Sequence, residues 1–300
     1  MKEKRILLLL GFLALLAITV WIGVASVSPQ NLRLIACDVG QGDAILAVHG
    51  NSQILVDGGP GSSVMECLSE HMPVFDRKIE VVILTHPQLD HYEGLIEVFQ
   101  AYDVEVFVTN RLISSNQSYR VLESVVGGSQ ARVFMPGVGT TIRLGLMQLD
   151  VVHPSKAFLT ENSVQEEVGG GSQVLGFLST TRDPNDFSVV AKLRLGEFDA
   201  LLTGDIGPEI SDLLVRRDLV GPVDYIKIPH HGSRNGLTEE LLKKTNPKVA
   251  VISAGKKNSY GHPHKEVLDM LKNAGVKIYG TYEAGDVVVE TDGASWRVLN

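Results

Sequence analysis

The sequence predicts two mixed β-sheets packed face to face with helices on both outer surfaces, an α/β/β/α layering of the α/β (α+β) class, preceded by one N-terminal transmembrane helix. Three observations lead there. Two strand-rich blocks occur in the 300-residue chain, each followed by helix and strand in alternation, and two layered sheets satisfy that pattern by burying one face against each other and the other under helices. The composition is globular, with 44% hydrophobic residues, 21% charged residues and Gly 30 against Pro 12, which excludes collagen-like, disordered and disulfide-scaffold classes. The front of the chain is an apolar run unlike the rest.

That run, residues 6–27, reads ILLLLGFLALLAITVWIGVASV and contains no charge. As a helix it would reach about 33 Å, enough for a hydrocarbon core of about 30 Å. Lys2, Lys4 and Arg5 precede it and only Arg33 follows closely, so the positive-inside bias leaves residue 1 in the cytoplasm and everything after Ser28 outside. With no polar face for water to wet, it does not read as a buried core helix. A cleaved signal peptide is the alternative, because Gly23-Val24-Ala25 offers small residues at a cleavable spacing. The expected organisation is an anchor or signal segment at 1–30 and one domain at 31–300.

From Leu32 the strands LRLIACDV, AILAVH and QILVD follow in quick succession around the turns Gly40-Gln41-Gly42 and Gly58-Gly59-Pro60, an antiparallel meander. Next come a helix near Ser62 to Met72, strand VVILT from Val81, a helix from about Tyr92 to Tyr102 and strand VEVFV from Val104. The middle returns to strands with TTIRL, MQLDVV, FSVVAKLRL and ALLT. The end alternates again: DYIKI, a helix near Thr238 to Lys244, VAVIS, a helix near Lys265 to Asn273, VKIYG, and the closing strands VVVE and WRVL. Residues 156–183 break the rhythm with Ser, Thr, Glu and the run Gly169-Gly170-Gly171, and are expected to be a long, mobile surface insertion.

The formal charge is −8, and Lys2, Glu3, Lys4 and Arg5 contribute +2 of it, leaving −10 on the rest. Basic residues occur only as short pairs such as Arg216-Arg217, Lys243-Lys244 and Lys256-Lys257, which disfavours high-affinity, sequence-independent DNA binding through a long basic groove. Cys37 and Cys67 lie in apolar stretches and nothing resembles a disulfide framework, so buried free thiols are expected, although an oxidising compartment permits a bridge.

Six of the nine histidines fall at strand ends: His86, His91, His230, His231, His262 and His264. Core packing does not ask for that. Strand VVILT runs into Thr85-His86-Pro87-Gln88-Leu89-Asp90-His91, strand ALLT into Gly204-Asp205, and strand DYIKI into Pro229-His230-His231-Gly232-Ser233. Imidazole and carboxylate donors converging on one sheet edge are what a divalent transition metal requires, with zinc or manganese the natural candidates.

The run Asp38 to Ala44, the strand end Val56-Asp57-Gly58-Gly59, the loop Thr85 to His91, Thr203-Gly204-Asp205, the run Ile228 to Ser233 and Tyr260-Gly261-His262-Pro263-His264 occur in the order seen in the metallo-β-lactamase-like domain of ComEC competence proteins. From about Leu32 to the C-terminus the chain resembles that domain, with residues 156–183 inserted. Members of that family also carry a multi-helix membrane channel, whereas this chain has one candidate span; a standalone domain is the expectation. The resemblance implies one or two metal ions, zinc or manganese. One would be held by Asp90, His91 and His230; a second would use His86, and Asp205 would bridge the two. Where the family carries a further ligand next to His86, this chain has Gln88, a neutral amide poorly suited to such a cation. The middle-chain ligand position corresponds to Asn185-Asp186-Phe187-Ser188, and His153 reads as an ordinary strand-end histidine.

Around this set, Asp57 is expected to accept hydrogen bonds from the histidine loop, and Asp38 and Asp43 to shape their glycine-rich turn or touch substrate. Asn185, His231 and His264 would support the site. His262, Ser233 and Arg234 would face phosphate oxygens, His262 by donating a proton or hydrogen bond. His49 and His71 have no assigned role. The leading functional reading is an extracytoplasmic, membrane-anchored metallo-hydrolase, a phosphodiesterase or nuclease with Asp90, His262 and Ser233 in catalysis. The nucleic-acid substrate, single-stranded DNA, and a separate channel protein as partner are implied by the resemblance. Two alternatives stand beside it: a catalytically weak DNA-handling module of a DNA-uptake system, and a hydrolase of a small ester or lactam.

Overall fold

The computed structural model describes residues 2–27, 31–73, 75–166, 175 and 177–299. The apolar run is a helix, Lys2–Val27, and none of Lys4–Trp21 is buried. Its length and composition suit a membrane crossing, and an anchor and a signal sequence meet that test equally.

The first sheet has eight strands, in the spatial order Trp296–Leu299, Val287–Thr291, Leu32–Ala36, Ile45–His49, Ser52–Val56, Lys78–Leu84, Asp103–Thr109 and Arg132–Phe134. Pairing is antiparallel as far as Ser52–Val56 and parallel beyond it. The second has seven: Lys277–Gly280, Val249–Ile252, Tyr225–Lys227, Phe198–Leu202, Val190–Leu195, Met147–His153 and Thr141–Leu144. Here the first four are parallel and the rest antiparallel. Each sheet thus joins a meander to a helix-crossover half, as the two-block pattern predicted. The closing hairpin does not extend the second block; it crosses back, and Val289 pairs with Leu34 in the first sheet.

Side chains alternate between two environments, as strand periodicity demands. Leu34, Ile54 and Ile83 meet Leu149, Leu193 and Val251 in the core between the sheets. Ile35, Leu55 and Val82 face the other way, under helices Ser63–His71, Leu95–Ala101 and Gln117–Gly128. On the far side Leu201, Ile226 and Ala250 pack beneath Pro208–Arg216, Glu239–Thr245 and Lys265–Asn273. Four layers result.

Several expectations need correction. The helix placed at 92–102 is a short turn, Leu89–Tyr92, followed by a separate helix, Leu95–Ala101. Between them Gly94 donates to Gly59 O and packs so closely that a Cβ would lie 2.1 Å from Gly58 O. Helices Gln117–Gly128 and Pro208–Arg216 were not anticipated; the first is capped by Asn116 and the second begins on a proline, which suits a first helical turn. The insertion contains a helix, Lys156–Asn162, capped by Ser155, and a short antiparallel pair, Val164–Gln165 with Leu178–Ser179. Its glycine run, Gly169 to Gly171, lies outside the described residues, and with it the expected mobility.

The cysteines are not free thiols. Cys37 and Cys67 form a disulfide with Cα atoms 5.8 Å apart, tying the end of strand Leu32–Ala36 to helix Ser63–His71. Closing a loop of 30 residues removes about 3.6 kcal/mol of unfolded-chain freedom. With the N-terminal apolar helix, the bridge favours a location outside the cytoplasm.

Candidate metal centre

The polar loops gather where strands end. Asp57 ends Ser52–Val56, the loop 85–91 ends Lys78–Leu84, Asp205 follows Phe198–Leu202, and His231 lies just beyond Tyr225–Lys227. Asp43 enters from the turn before Ile45–His49. His86, His91, Asp205, His231, Asp43 and Asp57 are all at most 3% exposed, in surroundings where unpaired polar atoms are costly.

Each imidazole is held through its Nδ1. His91 Nδ1 donates to Asp57 Oδ2 at 2.8 Å. Asp57 also accepts from the Thr85 backbone N–H at 2.8 Å and from Thr85 Oγ1 at 2.7 Å. Having given its proton to Asp57, Thr85 Oγ1 accepts from His86 Nδ1 at 3.0 Å. Ser188 Oγ stands 3.3 Å from the same nitrogen and accepts from the Asp205 N–H. His231 Nδ1 donates to Ser253 O at 3.0 Å. With the Nδ1 proton fixed in all three rings, each imidazole in its neutral form presents its lone pair at Nε2.

Those three Nε2 atoms are buried and make no hydrogen bond. They converge on one carboxylate: Asp205 Oδ2 lies 3.3 Å from His91 Nε2 and 3.0 Å from His231 Nε2, and Asp90 Oδ2 is 3.5 Å from His231 Nε2. Ligand atoms within 4.8 Å of one another form the groups His86, His91, Asp205; Asp90, His91, His231; Asp43, Asp205, His231; and Asp43, Asp57, His91. Orphaned imidazole lone pairs beside carboxylates fit a divalent metal. A further group, Cys67, His71 and Asp286, lacks a free thiolate because Cys67 is in the disulfide.

The electrostatics are tightly coupled. Burial would raise Asp205, but His231, Lys227 and His91 hold it well below the usual carboxylate range. Burial would lower His91 and His231, yet Asp205, joined by Asp57 for the one and Asp43 for the other, lifts both well above an ordinary imidazole. Burial and the charge of His91 push His86 down to about 3. A cation held at Nε2 would have to displace protons from His91 and His231, so its affinity would weaken as the pH is lowered.

The expected ligand His230 does not enter the cluster, and its neighbour His231 stands there instead. Residues 230 and 231 are both left-handed (φ 51° and 53°) and Gly232 continues at φ 79°. This backbone turns His231 inward and leaves His230 at the rim, edge-on to His231 and His262 with ring centroids 6.2 and 5.8 Å away. Gly232 cannot be replaced without strain, since a Cβ would lie 2.6 Å from Pro263 Cβ.

The remaining candidates are dispersed. Gln88 occupies the cap position of the Leu89–Tyr92 turn, where its carbonyl accepts from the N–H of His91. Asn185 is buried with its Oδ1 unpartnered. Asp38 Oδ1 accepts from Gly40 N, shaping its turn, whereas Asp43 is too buried to contact substrate freely. Ser233 Oγ accepts from Asn235 N, and His264 Nδ1 from Arg234 N, whose side chain is exposed. His262 sits beside the cluster, its Nδ1 3.4 Å from Gln41 Nε2; burial and the nearby His231, His230 and His264 lower it to about 4. His153 donates to Asp186 O at 2.8 Å and joins none of the groups.

Sequence reasoning missed Lys227. It is 1% exposed, and its ammonium pairs with Asp43 and, at 3.1 Å, with Asp205. A signal was present: a lysine in the central strand DYIKI, flanked by Ile226 and Ile228, has no way to solvent and must meet an anion.

Two mixed sheets between helices, with buried histidines and aspartates at the strand ends, define a metallohydrolase-like architecture. The Metallo-beta-lactamase superfamily matches residues 37–256, and the chain belongs to it. Among curated proteins it is 25% identical over 274 residues to ComE operon protein 3 of Bacillus subtilis, covering 83% of this chain and 32% of that protein. It is 28% identical over 259 residues to Recombination protein 2 of Haemophilus influenzae, covering 84% and 28%. It therefore spans about a third or less of these distant ComEC-family homologues. The metallo-beta-lactamase fold protein YhfI of Bacillus subtilis superimposes with a TM-score of 0.54 at 11% identity, covering 86% of this chain and 99% of the other, a likeness of fold alone.

Proposed function

We propose that residues 31–300 form a divalent-metal phosphodiesterase of the nuclease type, acting on single-stranded DNA in DNA uptake, and that residues 1–30 hold it on the outer face of a bacterial membrane. The observation that supports this most is the trio of buried, unpartnered Nε2 atoms around Asp205. His86, His91 and Asp205 would hold one cation; Asp90 and His231, with His91 and Asp205 beside them, would hold a second, as zinc or manganese. Such a cation supplies an acidified water, with a pKa near about 7, and positive charge at the reacting oxygens.

The chain's own residues do the rest. Asp57, Thr85 and Ser253 keep the imidazole protons at Nδ1. Lys227 offsets part of the charge of Asp43 and Asp205, which would otherwise repel each other. Asp90 is the cluster's accessible acid, 32% exposed, and so faces the entering substrate; burial would raise its pKa, but the hydrogen bond from His231 and the charge of His91 hold it well below the usual carboxylate range, so it stays ionised toward a cation. His262 is neutral at pH 7; with Gln41 donating to its Nδ1, its proton resides at Nε2, where it can donate a hydrogen bond to a phosphate oxygen. A separate channel protein would carry the strand across the membrane.

The test is metal analysis of the full chain in detergent with a single-strand cleavage assay. At least one zinc or manganese per chain and cleavage abolished by chelator are expected; a chain that neither metal binds sinks the proposal. A weakly catalytic DNA-handling module is favoured by one feature, Gln88 in place of a stronger ligand beside His86, and metal bound without cleavage would support it.

A further inference from the structure

Beside the cluster, the loop 255–264 carries, apart from His262, features that the reaction as described does not use. Tyr260 is 66% exposed, far more than a structural tyrosine needs. Its ring nevertheless stacks on His262, with centroids 5.6 Å apart and planes 22° apart. His262 in turn lies over His231, at 6.3 Å and 29°. Three near-parallel rings thus run from solvent to the buried Nε2 atoms.

The loop that carries this ladder is held rigid. Asn258 Nδ2 donates to Gly255 O and His262 O, both at 2.7 Å, and Asn258 Oδ1 accepts from His262 N at 2.9 Å. Gln41 pins it from the opposite sheet through Gly255 N and His262. Two exposed lysines, Lys256 and Lys257, sit on the same loop and have no ion-pair partner among the described residues. Two exposed cations thus share a loop with an exposed, preorganised aromatic ring.

We propose that Tyr260 is a stacking platform for an unpaired base of a single-stranded nucleic acid, with Lys256 and Lys257 contacting the flanking phosphates. This deepens the phosphodiesterase reading and rests on it for the direction in which the strand runs. A fixed ring is what a base needs, because every base has a π-face and the ring loses little freedom on binding, while cations a few residues away track the backbone. A duplex would not present such a base, so single strands should be preferred. Small esters would gain nothing from the lysines.

The test measures binding by fluorescence anisotropy, using the full-length chain in detergent micelles. The probes are a labelled oligothymidylate and an abasic strand of the same length. Tyr260→Ala should weaken oligothymidylate binding about tenfold and leave the abasic strand unchanged, while Tyr260→Phe keeps the parent's affinity. Replacing Lys256 and Lys257 by Ala should weaken both strands and flatten the salt dependence. The proposal is overturned if Tyr260→Ala binds oligothymidylate like the parent, if it loses the abasic strand equally, or if the parent binds neither. Cleavage is read separately. A strand bound through Tyr260 but never cut would defeat the hydrolase reading and leave the platform standing; a strand cut equally well by Tyr260→Ala would do the reverse.

Discussion

The two histidine loops obey different rules. In the loop 85–91 four residues lead from the strand into a helical turn, Leu89–Tyr92, that carries Asp90 and His91, and residues named from linear order, His86, Asp90 and His91, are those the fold brings together. In the loop 229–232 two consecutive left-handed residues follow the strand, and adjacent histidines part company, His231 inward and His230 to the rim. Helical backbone carries side chains forward at a readable period. Left-handed backbone at non-glycine residues, which L side chains disfavour by about 1–2 kcal/mol each, is imposed by surroundings that linear order does not reveal.

Asp205 is shared by both loops, so its loss should have the largest effect. Asp205→Ala is expected to remove bound metal altogether, and unchanged metal per chain by elemental analysis would break the assignment. The comparison itself is sharpened by the neighbouring pair. His231→Ala should lower metal affinity by more than about a hundredfold, beyond what loss of a merely supporting contact does, while His230→Ala stays within about twofold of the parent; the reverse ranking in a metal titration would restore His230 as ligand.

A third strand-end histidine shows what one outside the clusters does. Burial, only partly countered by its bond to Asp186 O, lowers His153 to about 4. Its neutral form is favoured in the folded state, so its contribution is fully present above the ordinary value of about 6.5 and is lost as pH falls toward 4. That amounts to about 3 kcal/mol. Denaturant unfolding should show this loss in the parent, flattened by about that amount in His153→Asn; parallel pH profiles would refute it.

The smallest effect concerns the support of the first loop. Asp57→Asn keeps an acceptor for His91 Nδ1 but removes its charge, and should weaken metal binding about tenfold with the fold retained, as circular dichroism and metal titration together would show.

Alternation of apolar residues and of strand with helix determined the two sheets and four layers, because those periods are local properties of the backbone. Donor chemistry at strand ends likewise made most of the cluster readable: His86, Asp90, His91 and Asp205 are groups for which core packing has little use. The tertiary structure decided the rest. It crossed the closing hairpin back to the first sheet, joined Cys37 to Cys67, buried Lys227 between two carboxylates and chose His231 over His230. All four depend on contacts between segments far apart in the chain, or on a backbone conformation such contacts enforce, and neither leaves a periodic trace in the order of residues.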